Sequence, residues 1–241
     1  MEKNNSKIGI AEAMRIYNGK DPVKQTLCLW GILTLVFYAF YIFARIVTGF
    51  AIGDFWNTPD NSSDNFDFYD GVCRSVFVSL MCYATTTGTL LVHFQEFYKN
   101  SAGGKYFRSV RGGFDTYSRM KTGTLISCIC GMLLFVTVVF LVNTVLHLVY
   151  HGLAVCVTVF LVSLLGIAAS KLICMIKIQA VRTMIYIMTI NLYSIVSSCI
   201  LETSECRFSI AHVVILILAV ILIAITHLGT IRNFRKNHWY V

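Results

Sequence analysis

Two loops of opposite charge separate apolar stretches of this chain, and they constrain its fold more than any other feature. Residues 52–70 contain five aspartates and no lysine or arginine. Residues 97–121 contain six lysines or arginines and one aspartate. Membrane insertion leaves short loops rich in Lys and Arg in the cytosol. The pattern therefore predicts a polytopic membrane protein with the acidic loop outside and the basic loop in the cytosol.

The composition agrees with this class of protein. Of the 241 residues, 56% are hydrophobic and only 13% are charged, which is too apolar for an ordinary soluble domain. The net charge is +8. Because the basic residues flank apolar stretches, they indicate topology and contact with anionic inner-leaflet lipids, not nucleic-acid binding. We expect an all-α transmembrane helical bundle in the plasma membrane or an endomembrane, with the lipid bilayer as its main partner.

The apolar stretches predict six spans and a single membrane domain. Residues 124–169 are apolar, and as a single helix they would be about 69 Å long. The hydrocarbon core is only about 30 Å thick. Two passes joined by a turn at residues 147–152 fit better, although a hairpin that dips in without crossing would leave four spans. We place the spans near residues 26–44, 76–94, 124–146, 153–169, 183–201 and 208–228.

Both termini are predicted to lie in the cytosol, because both are basic and an even number of passes returns the chain to its starting side. Residues 1–24 form a cytosolic arm, residues 25–229 the transmembrane domain and residues 230–241 a basic tail. In the arm, Asn18-Gly19 is typical of the end of a short interfacial helix. Asp21-Pro22 is typical of an N-cap followed by proline at the first helical position.

The acidic loop contains a candidate modification site. Asn61-Ser62-Ser63 is an N-glycosylation acceptor pattern, and the charge distribution independently places it outside. On the cytosolic side, Cys174 lies between two lysines at the end of an apolar span. A cysteine in that setting is a candidate for palmitoylation.

Three of the nine cysteines lie near the predicted outer face, where oxidation is permitted. These are Cys73, Cys199 and Cys206. A disulfide between Cys199 and Cys206, or between Cys73 and either of them, is expected, and the sequence leaves the connectivity open. The other cysteines lie in or beside apolar spans, where cysteine behaves as a small hydrophobic residue.

Two spans carry polar side chains. Thr85, Thr86, Thr87 and Thr89 lie in the second span, and Asn191 lies in the more polar fifth span. Threonine in a membrane helix bonds back to a carbonyl of the preceding turn or across to a neighbouring helix. The same residues can instead line a polar pore. The sequence leaves both interpretations open.

Small residues recur every four positions at the start of the third span, at Gly123, Ser127 and Gly131. This spacing lets helix backbones approach closely. It is typical of packing within one chain, and contact between the copies of a homo-oligomer is the alternative.

The sequence offers no strong catalytic, cofactor-binding or metal-binding signature. No aspartate or glutamate falls inside a predicted span, and the zinc-protease and nucleophile-elbow motifs are absent. His147 and His151 would supply only half of a metal site. Enzymatic activity is therefore unsupported, and we predict neither a metal nor a cofactor. Two functions stay open, a non-enzymatic membrane organiser and a small oligomeric channel lined by hydroxyl side chains.

The C-terminal tail has two interpretations. Its basic residues and Trp239 favour a tail that rests on the inner leaflet. Val241 at the free end, with Trp239 two positions before it, also suits strand addition to a PDZ-type groove of a cytosolic scaffold.

Overall fold

A computed structural model describes residues 9–18, 21–51, 71–93, 113–146, 152–174, 176, 178–204 and 208–236. Within these ranges the chain forms helices and no strands. The helices are α1 (Ile10–Asn18), α2 (Pro22–Ala51), α3 (Gly71–His93), α4 (Gly113–Leu146), α5 (Gly152–Cys174), α6 (Gln179–Thr203) and α7 (Ile210–Lys236).

Six of these helices, α2 to α7, are long and apolar enough to cross a membrane. Each of the six predicted spans overlaps one of them. The prediction of an all-α architecture is therefore confirmed, and the helices indicate a multi-pass membrane protein. The long apolar run is divided as expected, because α4 ends at Leu146 and α5 begins at Gly152.

The start of α2 follows from local chemistry. The Asp21 carboxylate accepts a hydrogen bond from the backbone N–H of Val23 at 3.0 Å. Pro22 occupies the first helical position, where its missing N–H costs nothing. The predicted N-cap is confirmed.

Helix α4 begins well before the predicted start of its span. Its 34 residues correspond to about 51 Å of helix, more than the hydrocarbon core requires. The additional turns carry Arg119 and Lys121 and continue the helix into the predicted cytosolic loop. The short helix α1 packs against this part of α4. A Cβ atom at Gly123 would lie 2.4 Å from the Met14 sulfur, so a larger residue at this position would displace the Met14 side chain.

Helix α5 lies at the centre of the bundle. In its apolar segment 61% of the residues are buried, against 17% in α2 and in α7. It packs against α4, α6 and α7. The peripheral helices α2 and α7 therefore present most of their apolar side chains outward.

Aromatic side chains join α2, α3 and α4. The Phe37 ring contacts Phe77 and Phe135 edge to face, with ring centroids 5.2 and 5.7 Å apart. Trp30 is fully buried, with its ring centroid 6.1 Å from that of Phe135. Burial of large aromatic rings in these geometries contributes strongly to packing.

Candidate functional site

Hydroxyl side chains join α3 to α5. Thr85 and Thr89 are fully buried. The Thr85 hydroxyl oxygen lies 2.7 Å from that of Ser163, and the Thr89 hydroxyl oxygen lies 3.1 Å from that of Ser170. Both threonines of α3 are thus hydrogen-bonded to serines of the central helix.

A second set of polar pairs joins α3 to α6. The hydroxyl oxygens of Ser79 and Ser194 are 2.7 Å apart, and the Thr87 hydroxyl is hydrogen-bonded to that of Tyr186. We give the name hydroxyl ladder to five polar pairs that join α3 to α5 and α6: Ser79 with Ser194, Cys82 with Ser197, Thr85 with Ser163, Thr87 with Tyr186, and Thr89 with Ser170.

The direction of two of these hydrogen bonds follows from the number of protons. The Thr85 hydroxyl donates to the Met81 carbonyl at 2.9 Å, and the Thr89 hydroxyl donates to the Thr86 carbonyl at 2.9 Å. A hydroxyl has a single proton. The serine hydroxyls of α5 therefore donate across the interface, and each threonine oxygen acts as donor and acceptor.

Thr86 and Asn191 differ from the other predicted polar residues. Thr86 is buried, but its hydroxyl has no hydrogen-bond partner among the described residues. Asn191 is exposed on α6, and its amide makes no hydrogen bond to another of the described residues. The structure thus brings the four threonines together on α3, whereas Asn191 lies on a different surface.

The described cysteines do not support the predicted disulfide. Cys73 is buried in the first turn of α3, whereas Cys199 is exposed on α6, and both are free thiols. The predicted bridge between Cys73 and Cys199 is therefore wrong, because no two of the described cysteines lie at disulfide distance. Cys206 lies outside the described residues.

Several other predicted sites also fall outside the described part of the chain. They are Asn61, Trp239 and Val241. Cys174 is the last residue of α5, and its side chain is likewise outside the description. Glycosylation, tail recognition and palmitoylation stay predictions.

Sequence reasoning missed a polar contact between α5 and α7. The backbone N–H of Ser209 donates to Nδ1 of the buried His212 at 3.1 Å. The neutral ring therefore carries its proton on Nε2, which lies 2.9 Å from the Thr158 hydroxyl oxygen. Thr158 in turn donates to the Ala154 carbonyl. The three-residue spacing of Ser209 and His212 matches a capping box, and this was the available sequence signal.

An apolar groove lies between α1, α2 and α4. It encloses about 490 Å³, and residues that line it include Met14, Leu27, Ile126, Cys130 and Leu134. Its walls supply very few hydrogen-bonding groups, so the groove suits hydrocarbon and not a polar substrate.

No known protein family, curated protein or solved structure matches this chain. A functional conclusion therefore depends on the side chains and their contacts. Among the described residues, no three His, Cys, Asp or Glu side chains come together in a way that could hold a metal ion.

Proposed function

We propose that this chain is a six-pass integral membrane protein, with both termini in the cytosol, that acts as a non-enzymatic membrane organiser. Six apolar helices and the charges of the intervening loops support the topology. In this proposal the bundle acts through its surfaces, its loops and its tails.

The hydroxyl ladder is the observation that carries this proposal. A pore lined by hydroxyl groups would leave them facing water, with their side chains accessible along a channel. Here Thr85 and Thr89 are fully buried and hydrogen-bonded to α5. Thr87 is hydrogen-bonded to Tyr186 of α6. These contacts support a role of the hydroxyl groups in holding helices together.

The outer surface of the bundle supports a role in assembly. Helices α2 and α7 expose large apolar side chains along their length, for example Leu35 at 73% and Ile225 at 61% of their full area. In a bilayer such surfaces contact lipid or the helices of other membrane proteins. Anionic inner-leaflet lipids, a cytosolic scaffold at the tail and further copies of this chain are the partners we propose.

Electrical recording from planar bilayers tests the organiser against the hydroxyl-lined channel. The purified protein is reconstituted alongside the variant Thr86→Val, which removes the unpartnered hydroxyl and nearly conserves the side-chain volume. We expect the conductance of both preparations to equal that of protein-free bilayers. A current that appears with the native protein and changes in Thr86→Val would replace the organiser with the channel.

The proposed sidedness has a separate test. Epitope tags are placed at each end of the chain, and antibody binding is compared in intact and permeabilised cells. Both tags should bind antibody only after permeabilisation. Binding of either tag in intact cells would contradict the arrangement with two cytosolic termini.

A further inference from the structure

The exposed side of α6 carries an unusual residue for a membrane helix. Asn191 lies at the midpoint of Gln179–Thr203 and is exposed. About 18 Å of helix separates it from either end, so a helix that crosses the bilayer places its amide near the middle of the hydrocarbon core. A primary amide has two N–H donors and a carbonyl acceptor, and hydrocarbon satisfies none of them.

The residues around Asn191 form a regular seam. Met184, Met188 and Ile195 are exposed by 61%, 65% and 60%, and with Asn191 they follow spacings of four, three and four. This alternation is the heptad pattern of helices that pack along a left-handed seam. The buried face of α6 contains Ile190, Tyr193 and Ser197, so the seam is not the surface that packs on the rest of this chain.

The depth of Asn191 in the bilayer and the chemistry of its amide favour a second copy of this chain as the partner of the seam. All copies of a membrane protein insert with the same orientation, so two α6 helices related by a two-fold axis are parallel and hold their Asn191 residues at equal depth. An amide is self-complementary, because the N–H of each can donate to the carbonyl of the other. A two-fold interface requires this kind of self-complementary surface.

We infer that the seam of Met184, Met188, Asn191 and Ile195 is a homodimer interface, in which the two Asn191 amides are hydrogen-bonded to each other within the bilayer. Methionine side chains on either side adapt to a facing helix. A single asparagine in an apolar seam also fixes register and the number of helices. The inference deepens the proposed organiser by naming its partner and the surface that recognises it.

The test measures association in phosphatidylcholine vesicles by energy transfer between donor-labelled and acceptor-labelled copies. Three matched variants are compared with the native chain. Asn191→Leu removes the amide, Asn191→Gln retains it, and Ile217→Leu changes an exposed side chain of α7 in the same membrane environment.

We expect the native chain, Asn191→Gln and Ile217→Leu to dimerise, and the dissociation constant of Asn191→Leu to rise by about tenfold or more, the factor that corresponds to roughly 1.4 kcal/mol. Native-strength dimerisation of Asn191→Leu, or monomeric behaviour of the native chain, would overturn the inference. If Asn191→Gln and Asn191→Leu weaken dimerisation equally, the two amides are not hydrogen-bonded to each other.

A cross-linking measurement locates the contact without removing the amide. Cysteine is introduced at Met188 or, as the control, at Ile217, and oxidant is added to the vesicles. Met188→Cys should give a disulfide-linked dimer in larger yield than Ile217→Cys. Equal yields would contradict the seam. A current in the bilayer recordings would contradict the organiser function but not the homodimer. Failure of the dimer measurements would contradict the homodimer alone, so the two proposals can be distinguished.

Discussion

Gly131 is the position where a single added methyl group should be most informative. A Cβ atom there would lie 2.0 Å from Nε1 of Trp30 and 2.2 Å from its Cδ1. On the six-membered ring of the same indole, a Cβ atom at Gly88 would lie 2.7 Å from Cη2. The indole therefore packs closely against two glycines, Gly131 on α4 and Gly88 on α3.

We expect Gly131→Ala to lower the free energy of unfolding by about 2 kcal/mol. Overpacking of a well-packed core costs about 1–3 kcal/mol, and a rigid indole gives the upper part of that range. The gain of about 1 kcal/mol that alanine brings to a helix interior offsets part of the cost. The melting temperature should fall by about 4–8 °C, since 1 kcal/mol corresponds to roughly 2–4 °C in a domain of this size.

Gly31→Ala is the matched control. Gly31 lies beside Trp30 in the chain, and a Cβ atom there would meet nothing within 4 Å. This variant should keep or slightly raise the stability, because it adds helix propensity without a clash. Both variants can be followed in mild detergent with a dye that fluoresces on reaction with thiols, because Cys82 and Cys128 are buried and become reactive on unfolding.

Combining Gly131→Ala with Trp30→Phe tests the mechanism. The smaller ring should relieve the clash, so that Gly131→Ala costs at least about 1 kcal/mol less in this background. A melting temperature of Gly131→Ala equal to or above that of Gly31→Ala would refute the close packing of Trp30 against Gly131.

Three further predictions concern single side chains. Ser163→Ala should lower the free energy of unfolding by about 0.6 kcal/mol, the average for a hydrogen bond between membrane helices. The loss is small because Thr85 keeps its hydrogen bond to the Met81 carbonyl of its own helix. A loss above about 2 kcal/mol in thermal unfolding would contradict this prediction. His212→Ala should lower the free energy of unfolding by about 1–2 kcal/mol, because the Ser209 N–H loses its acceptor. Amide hydrogen exchange at the start of α7 should become faster. Unchanged exchange at these amides would exclude the capping role of His212. In a eukaryotic host, endoglycosidase should increase the gel mobility of the native protein but not of Asn61→Gln, and an unchanged native band would place glycosylation at this residue in doubt.

The sequence predicted the helices better than it predicted their ends. Hydropathy indicates where a helix leaves the hydrocarbon core of the bilayer. The helix itself ends where its backbone N–H and C=O groups lose their hydrogen-bond partners. Helix α4 therefore continues to Gly113, through Arg119 and Lys121, although its predicted span begins at residue 124. The start of α2 was predictable because Asp21 and Pro22 act within a single turn.

The partners of the polar residues could not be predicted from the sequence. Thr85 and Ser163 are 78 positions apart, and Thr89 and Ser170 are 81 apart. Helical periodicity assigns a residue to a face, but it does not determine which helix covers that face. For the same reason the sequence gives Thr85 and Asn191 the same interpretation, as polar residues of apolar spans, although Thr85 is buried and Asn191 is exposed.

The distance along the chain between hydroxyl partners has a consequence for biosynthesis. At about 5–20 residues per second, the ribosome needs roughly 4–16 s to add the 78 residues that separate Thr85 from Ser163. Thr85 is therefore synthesised several seconds before its partner on α5. The Thr85 hydroxyl is then satisfied by the Met81 carbonyl of its own helix. Thr85 thus keeps its hydroxyl bonded until the arrival of α5, whose Ser163 adds a second bond without requiring the first to break.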